Sequence, residues 1–233
     1  MERKKKQVIS ILILIVLLLG IIIIALHLGT IKVPVLGGLQ SIWQGLGIPV
    51  TVTNPLEPEQ EAVLWYIRMP RILIGLMVGA SLALAGAVMQ GIFSNPLADP
   101  GIMGVSAGAS LGAVIAISLG LTSMGMFYMP MFAFVGAFMA VSITILLTMR
   151  GGRVETATLL LAGVAISMLL GAFTSGILTL MNEYRLREFL FWMVGGLDFR
   201  RWEHVFLAIG PFLIGTTILI TLGRQLNVLV LGD

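Results

Sequence analysis

ILIGLMVGASLALAGAVMQGIFSNPLA, residues 72–98, carries no charged side chain between Arg71 and Asp99, a run of 27 positions. At about 1.5 Å of rise per residue, a helix of that length exceeds the ~30 Å hydrocarbon core of a bilayer. The same pattern repeats outward along the chain. Charge-free runs of 25 residues follow Lys6, 50 follow Asp99, 27 follow Glu155, and 19 separate His204 from Arg224. A crossing takes about 20 apolar residues, so the run of 50 has room for two. Six spans are expected, over 8–28, 72–93, 101–120, 127–149, 156–181 and 204–223.

Composition supports this reading. Of 233 residues, 58% are hydrophobic and 11% charged, against about 25% charged in a soluble domain. So few charges cannot cover a water-soluble globule, and the fold class is an all-α integral membrane protein. The net charge of +3 comes from 14 basic and 11 acidic residues that are scattered rather than striped, which argues against a nucleic-acid partner. Cysteine is absent, which excludes disulfides, thiolate metal sites and thiol nucleophiles.

Arg3, Lys4, Lys5 and Lys6 precede the first run. Its apolar stretch is longer than a signal peptide's, and no small-residue cleavage site follows, so it reads as an uncleaved anchor. The basic cluster places the N-terminus in the cytoplasm. Residues 29–71 and 182–203 then lie outside. The first, with Pro34, Pro49, Pro55, Pro58 and Pro70, is expected to be an irregular cap. The second alternates Arg185, Arg187 and Glu188 with Leu190, Phe191 and Trp192, which suggests a short interfacial helix. The outside segments hold as many basic residues as the inside ones, so Arg68, Arg71, Arg185, Arg187, Arg200 and Arg201 need another explanation.

Small residues recur at spacing four. Gly104, Gly108 and Gly112 form one such stripe; Gly163, Ser167, Gly171 and Ser175 form another. Stripes of this kind let helix backbones approach closely; the second could instead line a solute path. Asp99 before Pro100 is a helix start, with Asp as cap and Pro at the first position; an ionisable group near membrane depth is the functional alternative. Met124, Met126, Met129 and Met131 crowd one turn, but with His27 and His204 remote and no Cys they read as apolar filler, and no metal site is expected. No phosphate loop, HExxH string or intramembrane carboxylate pair occurs, so the chain is not expected to be an enzyme. Arg68-Met69-Pro70-Arg71 is the most pointed charged feature, either a snorkelling pair or a patch that docks carboxylates.

Several strings taken together carry a resemblance: Arg68-Met69-Pro70-Arg71, the small-residue run from Gly79 to Gly91, Asn95-Pro96-Leu97-Ala98-Asp99-Pro100, Gly104-Val105-Ser106-Ala107-Gly108-Ala109, Leu159 to Ala165, and Trp192-Met193-Val194-Gly195-Gly196. They resemble the permease subunits of bacterial iron–siderophore, haem and vitamin B12 importers, the FecCD family of type II ABC importers. The resemblance implies ten helices per permease, two permeases per complex as a homodimer or related heterodimer, two cytoplasmic ATP-binding subunits and an extracytoplasmic solute-binding protein. ATP and magnesium would be held by the partner ATPase and no cofactor by this chain. Localisation would be the multi-pass cytoplasmic membrane of a bacterium or archaeon.

The resemblance also assigns residues. Arg68 and Arg71 match arginines that face glutamates on the binding protein. Thr156 and Ala157 fall near a cytoplasmic gate, and the helix bearing Gly163, Ser167 and Gly171 matches one that lines the pathway. Asn95, Pro96, Asp99 and Pro100 match a structural turn. Leu226 to Asp233 looks like the beginning of the coupling region, so the chain is expected to be a truncated permease with six of the ten spans. The rival readings are a secondary transporter, which would place ionisable groups within its spans, and a non-transporting truncated scaffold.

Overall fold

The structure, a computed structural model, describes residues 2–51, 53–150 and 153–231. Gly151-Gly152, and Gly232-Asp233 at the end of the expected coupling region, lie outside the described residues. Among the described residues, the regular elements are helices apart from an antiparallel pair of two-residue strands, β1 (Met149–Arg150) and β2 (Arg153–Val154). Among the described residues, five helices are long and apolar enough to cross a bilayer: Lys4–His27, Pro58–Phe93, Tyr128–Thr148, Thr156–Thr179 and Trp202–Gln225. The chain divides into two compact units, Met1–Gly79 with Leu197–Phe212, and Ala80–Gly196 with Leu213–Asp233.

The first unit is built around the end of α1 (Glu2–His27). The apolar window of α1 has no buried residue until its last turn, where Leu26 and His27 are covered. His27 Nδ1 donates to the Val33 carbonyl at 3.1 Å, which folds the chain back into α2 (Val35–Gly45). A helix then begins at Pro58, inside the segment expected to be irregular. Its first turn, α3 (Pro58–Ala62), has Glu57 as cap, and the Gln60 side chain accepts from the Glu57 N–H at 3.1 Å. Proline suits that first turn because its missing N–H would have no partner there. The helix passes through a π-helical segment (Val63–Arg68) into α4 (Met69–Phe93).

Pro70 accounts for what happens at that junction. Met69 N–H donates to the Leu64 carbonyl, five residues back. In that register Pro70 would bond next to Trp65, but it has no N–H to give. The Trp65 carbonyl is met instead by the indole N–H of Trp202, at 2.9 Å. Trp202 opens α9 (Trp202–Leu231), so this bond ties the start of one long helix to the break in another.

In the second unit α5 (Val105–Ser118) lies among α6 (Tyr128–Thr148), α7 (Thr156–Thr179) and α8 (Glu183–Val194). Ala113, Val114, Ala116 and Ile117 are fully buried, and Phe189 of α8 packs on Val114 and Ile117. The expected span over 101–120 takes a different form. Pro100–Met103 is a 3-10 turn and α5 has only 14 residues, about 21 Å of helix against ~30 Å of hydrocarbon. Irregular backbone is tolerated at membrane depth where protein surrounds it, and here α6 and α7 cover the turn. The short helix expected within 182–203 is α8, capped by Asn182, which accepts from the Arg185 N–H at 3.0 Å.

Candidate functional site

The two arginines of the Arg68–Arg71 string have different surroundings. Arg68 is 8% exposed. Its guanidinium donates to the carbonyls of Leu26 and Ile31. The last carbonyls of a helix lack partners within it, and a cation there also opposes the helix dipole. Arg68 therefore caps α1 and pins the loop that follows. Arg68, expected from the resemblance to dock a binding protein, is thus buried and bonded to two backbone carbonyls. Arg71, one helical turn on, is about half exposed and pairs with Asp198 at 3.2 Å.

Arg185 repeats the Arg68 arrangement in the second unit. Its guanidinium donates to the Ser118 carbonyl at 2.8 Å, at the end of α5. Two of the arginines that orientation alone did not explain therefore close helix C-termini. Sequence reading missed this role for both, because the acceptor carbonyls lie 42 and 67 residues away.

The turn after α4 is built from two side-chain caps in succession. Asn95 Oδ1 accepts from the Leu97 N–H at 2.9 Å, and Asp99 Oδ1 accepts from the Gly101 N–H at 2.7 Å. Pro96 lies between them, and Pro100 opens the 3-10 turn. Ala98 is buried with Met89, Phe93 and Leu159, so the turn is packed down onto α7. Asp99 itself is exposed and its cap is local.

The stripe Gly104, Gly108 and Gly112 divides by role. A Cβ on Gly112 would sit 2.0 Å from the Phe132 carbonyl oxygen, and one on Gly108 would sit 2.4 Å from that of Gly136. These glycines are the α5–α6 crossing, with Gly136 as a partner that the sequence reading did not single out. Gly104 is different: its φ of +85° ends the 3-10 turn in a left-handed conformation that a side chain disfavours. Thr144, fully buried on α6, donates to the Ala140 carbonyl at 2.9 Å and reaches the Met103 carbonyl at 3.3 Å, fixing the turn from the other side.

The expected pathway face of α7 also divides. A Cβ on Gly163 would meet the Ile102 carbonyl oxygen at 2.2 Å, so Gly163 seats the 3-10 turn. Ser167 donates to the Gly163 carbonyl at 2.7 Å and lies beside Gly104. Gly171, by contrast, has nothing within 4 Å of where its Cβ would be, and Ser175 is exposed. Thr156 and Ala157, at the start of α7, are exposed as well. The structure therefore groups Gly163 and Ser167 with Gly104 around the turn. Among the pathway candidates it leaves Thr156, Ala157 and Gly171 with uncovered surface. No group of three or more His, Asp or Glu that could hold a metal ion occurs among the described residues.

Long apolar helices and a short glycine-packed helix with a 3-10 lead-in define a helical, multi-pass membrane protein. The chain belongs to the FecCD transport family, whose pattern matches residues 13–233. It is 42% identical over 209 residues to a cobalamin import system permease, BtuC, of Halobacterium salinarum, covering 88% of this chain and 55% of that protein. It is 36% identical to an uncharacterised ABC transporter permease, YvrB, of Bacillus subtilis (91% and 60% covered). To a hemin transport system permease, HmuU, of Yersinia pestis it is 41% identical (72% and 51% covered). A solved metal-chelate type ABC transporter in an inward-facing conformation matches with a TM-score of 0.76 at 30% identity, over 94% of this chain and 64% of that one. The chain thus spans about half to two thirds of the length of these relatives.

Proposed function

We propose that the chain forms part of the translocation pathway of an ATP-driven importer for a chelated metal, haem or a corrinoid. The observation that carries this is the unbroken FecCD match over residues 13–233 on a helical fold shared with a metal-chelate transporter. The cargo class follows the relatives, which are named for cobalamin and hemin. A second permease copy, cytoplasmic ATP-binding subunits and an extracytoplasmic binding protein complete the proposed complex.

Each part of the chain has a role in this reading. The basic cluster at the beginning of α1 holds the N-terminus in the cytoplasm, which sets His27, Arg71 and the start of α4 at the outer surface. Arg71 is the exposed arginine that docks a carboxylate of the binding protein, exchanging it for Asp198. The open surface of α7 from Gly171 outward faces the solute path, with Thr156 and Ala157 at the inner end.

The test is co-expression with the ATP-binding and binding-protein subunits of the same transport system, followed by reconstitution into proteoliposomes. The expected result is uptake of a labelled corrinoid, haem or ferric siderophore that requires ATP and the binding protein. Uptake driven by a proton or sodium gradient without ATP would make the chain a secondary transporter. An absence of any association with the ATP-binding subunit would leave it a scaffold.

A further inference from the structure

Arg71 stands between two adjoining cavities of unlike chemistry, both within the first unit. One, of about 640 Å³, runs between α1 and the beginning of α4, with Ile21, Ile22, Ala25 and Ile72 in its lining. The other, of about 450 Å³, is lined by Tyr66, Phe199, Arg200 and Arg201 together with Arg71 and Asp198. Ile67, Arg71 and Leu197 belong to both. Three arginines against one aspartate give the second cavity a formal charge of +2.

The first cavity is lined mostly by apolar side chains, with Thr30, Arg68 and Arg71 also in its wall. One wall is α1, which is otherwise unburied and would lie in hydrocarbon. An acyl chain is the apolar filler that a bilayer supplies there. The second cavity has the features of headgroup depth. Tyr66 is largely exposed, as aromatic residues are at the membrane–water boundary. Phe199 is 94% exposed and held at a φ of +57°, a conformation uncommon for a bulky side chain.

We propose that the two cavities together seat one anionic phospholipid of the bilayer. An acyl chain lies between α1 and α4. The phosphate headgroup sits against Arg200 and Arg201, while Arg71, neutralised by Asp198, lies between the two parts. Basic pockets beside membrane helices recognise anionic headgroups in this way. The assignment goes beyond the transport reading and requires only that the chain lie in a membrane.

The test uses the full chain in nanodiscs of phosphatidylcholine containing phosphatidylglycerol, released into the gas phase for native mass spectrometry. Wild type is expected to retain one phosphatidylglycerol, preferred over phosphatidylcholine on the order of tenfold. The double change Arg200→Gln with Arg201→Gln should abolish that preference, and Ile22→Trp should lower retention of both lipids by filling the apolar cavity. Equal retention of the two lipids by wild type overturns the proposal without recourse to any variant. So does unchanged retention in folded variants, or a double variant that loses capture of a binding protein while keeping its lipid, since the arginines would then be a protein-docking surface. ATP-driven uptake is not read in this assay, so a failed transport reading and a failed lipid site are distinguishable.

Discussion

Arg68 and Arg71 are three positions apart and chemically identical, yet they have opposite exposure and different work. Arg68→Ala removes two charge-assisted hydrogen bonds and leaves the Leu26 and Ile31 carbonyls without that donor. Hydrogen bonds to charged groups are each worth about 1.5–3 kcal/mol, so a loss of about 3 kcal/mol is expected, read as a lowered unfolding midpoint in detergent. Arg68→Lys should recover only part of it, because an ammonium cannot fork between two carbonyls. Arg71→Ala breaks an exposed ion pair worth less than about 1 kcal/mol and should leave the midpoint nearly unchanged. Its effect belongs in the assembled complex, where Arg71→Glu is expected to weaken capture of the binding protein about tenfold or more. Equal loss of stability in the two alanine variants would refute the division of roles.

At the scale of elements, the glycines of α5 and α7 separate packing from open surface. Gly112→Ala drives a Cβ to 2.0 Å from a backbone oxygen of α6, and backbone cannot rotate away as a side chain can. Overpacking costs about 1–3 kcal/mol where neighbours yield, so here about 3 kcal/mol or more is expected, with loss of the folded chain in detergent. Gly171→Ala meets nothing within 4 Å and should be neutral or slightly stabilising, since alanine favours helix over glycine by about 1 kcal/mol. Gly171→Trp is the functional counterpart. If α7 lines the solute path, this change should block uptake in the full complex while leaving assembly and the unfolding midpoint intact. Normal uptake by that variant would remove α7 from the pathway. The break at Pro70 offers a third test: Trp202→Phe deprives the Trp65 carbonyl of its donor and should cost about 1–2 kcal/mol.

At the scale of the molecule, the transport reading predicts that ATP hydrolysis belongs to a separate subunit. The purified chain alone should show no ATPase activity, and turnover should appear only with the ATP-binding subunit and rise with the binding protein. Orientation is testable in the same preparation. Single cysteines can be introduced without background, since the sequence contains none. A cysteine at Ser123 or Thr51 should react with an impermeant thiol reagent from outside, and one at Thr156 only from inside. The reverse pattern would invert the topology and move Arg71 away from any extracytoplasmic partner.

The spacing of charges alone determined that the chain is a helical membrane protein, because burying a charge in hydrocarbon is costly wherever the chain folds. Four of the five long helices of the structure lie within a few residues of charge-free runs, and the caps at Asn95 and Asp99 bond to groups only two residues away. What depends on distant partners was decided only by tertiary structure. The chain over 101–120 is as apolar as its neighbours, yet Gly104 and the cover provided by α6 and α7 make it a 3-10 turn and a short helix. The helix expected from residue 72 begins at Pro58, because the Glu57 cap and the Trp202 indole satisfy backbone groups that sequence spacing leaves open. Arg68, Arg185 and Gly163 were each legible as residues worth notice, but their roles were set by carbonyls many residues away. A local pattern reports the cost of a residue's own burial; the carbonyl it meets is fixed by how the helices pack.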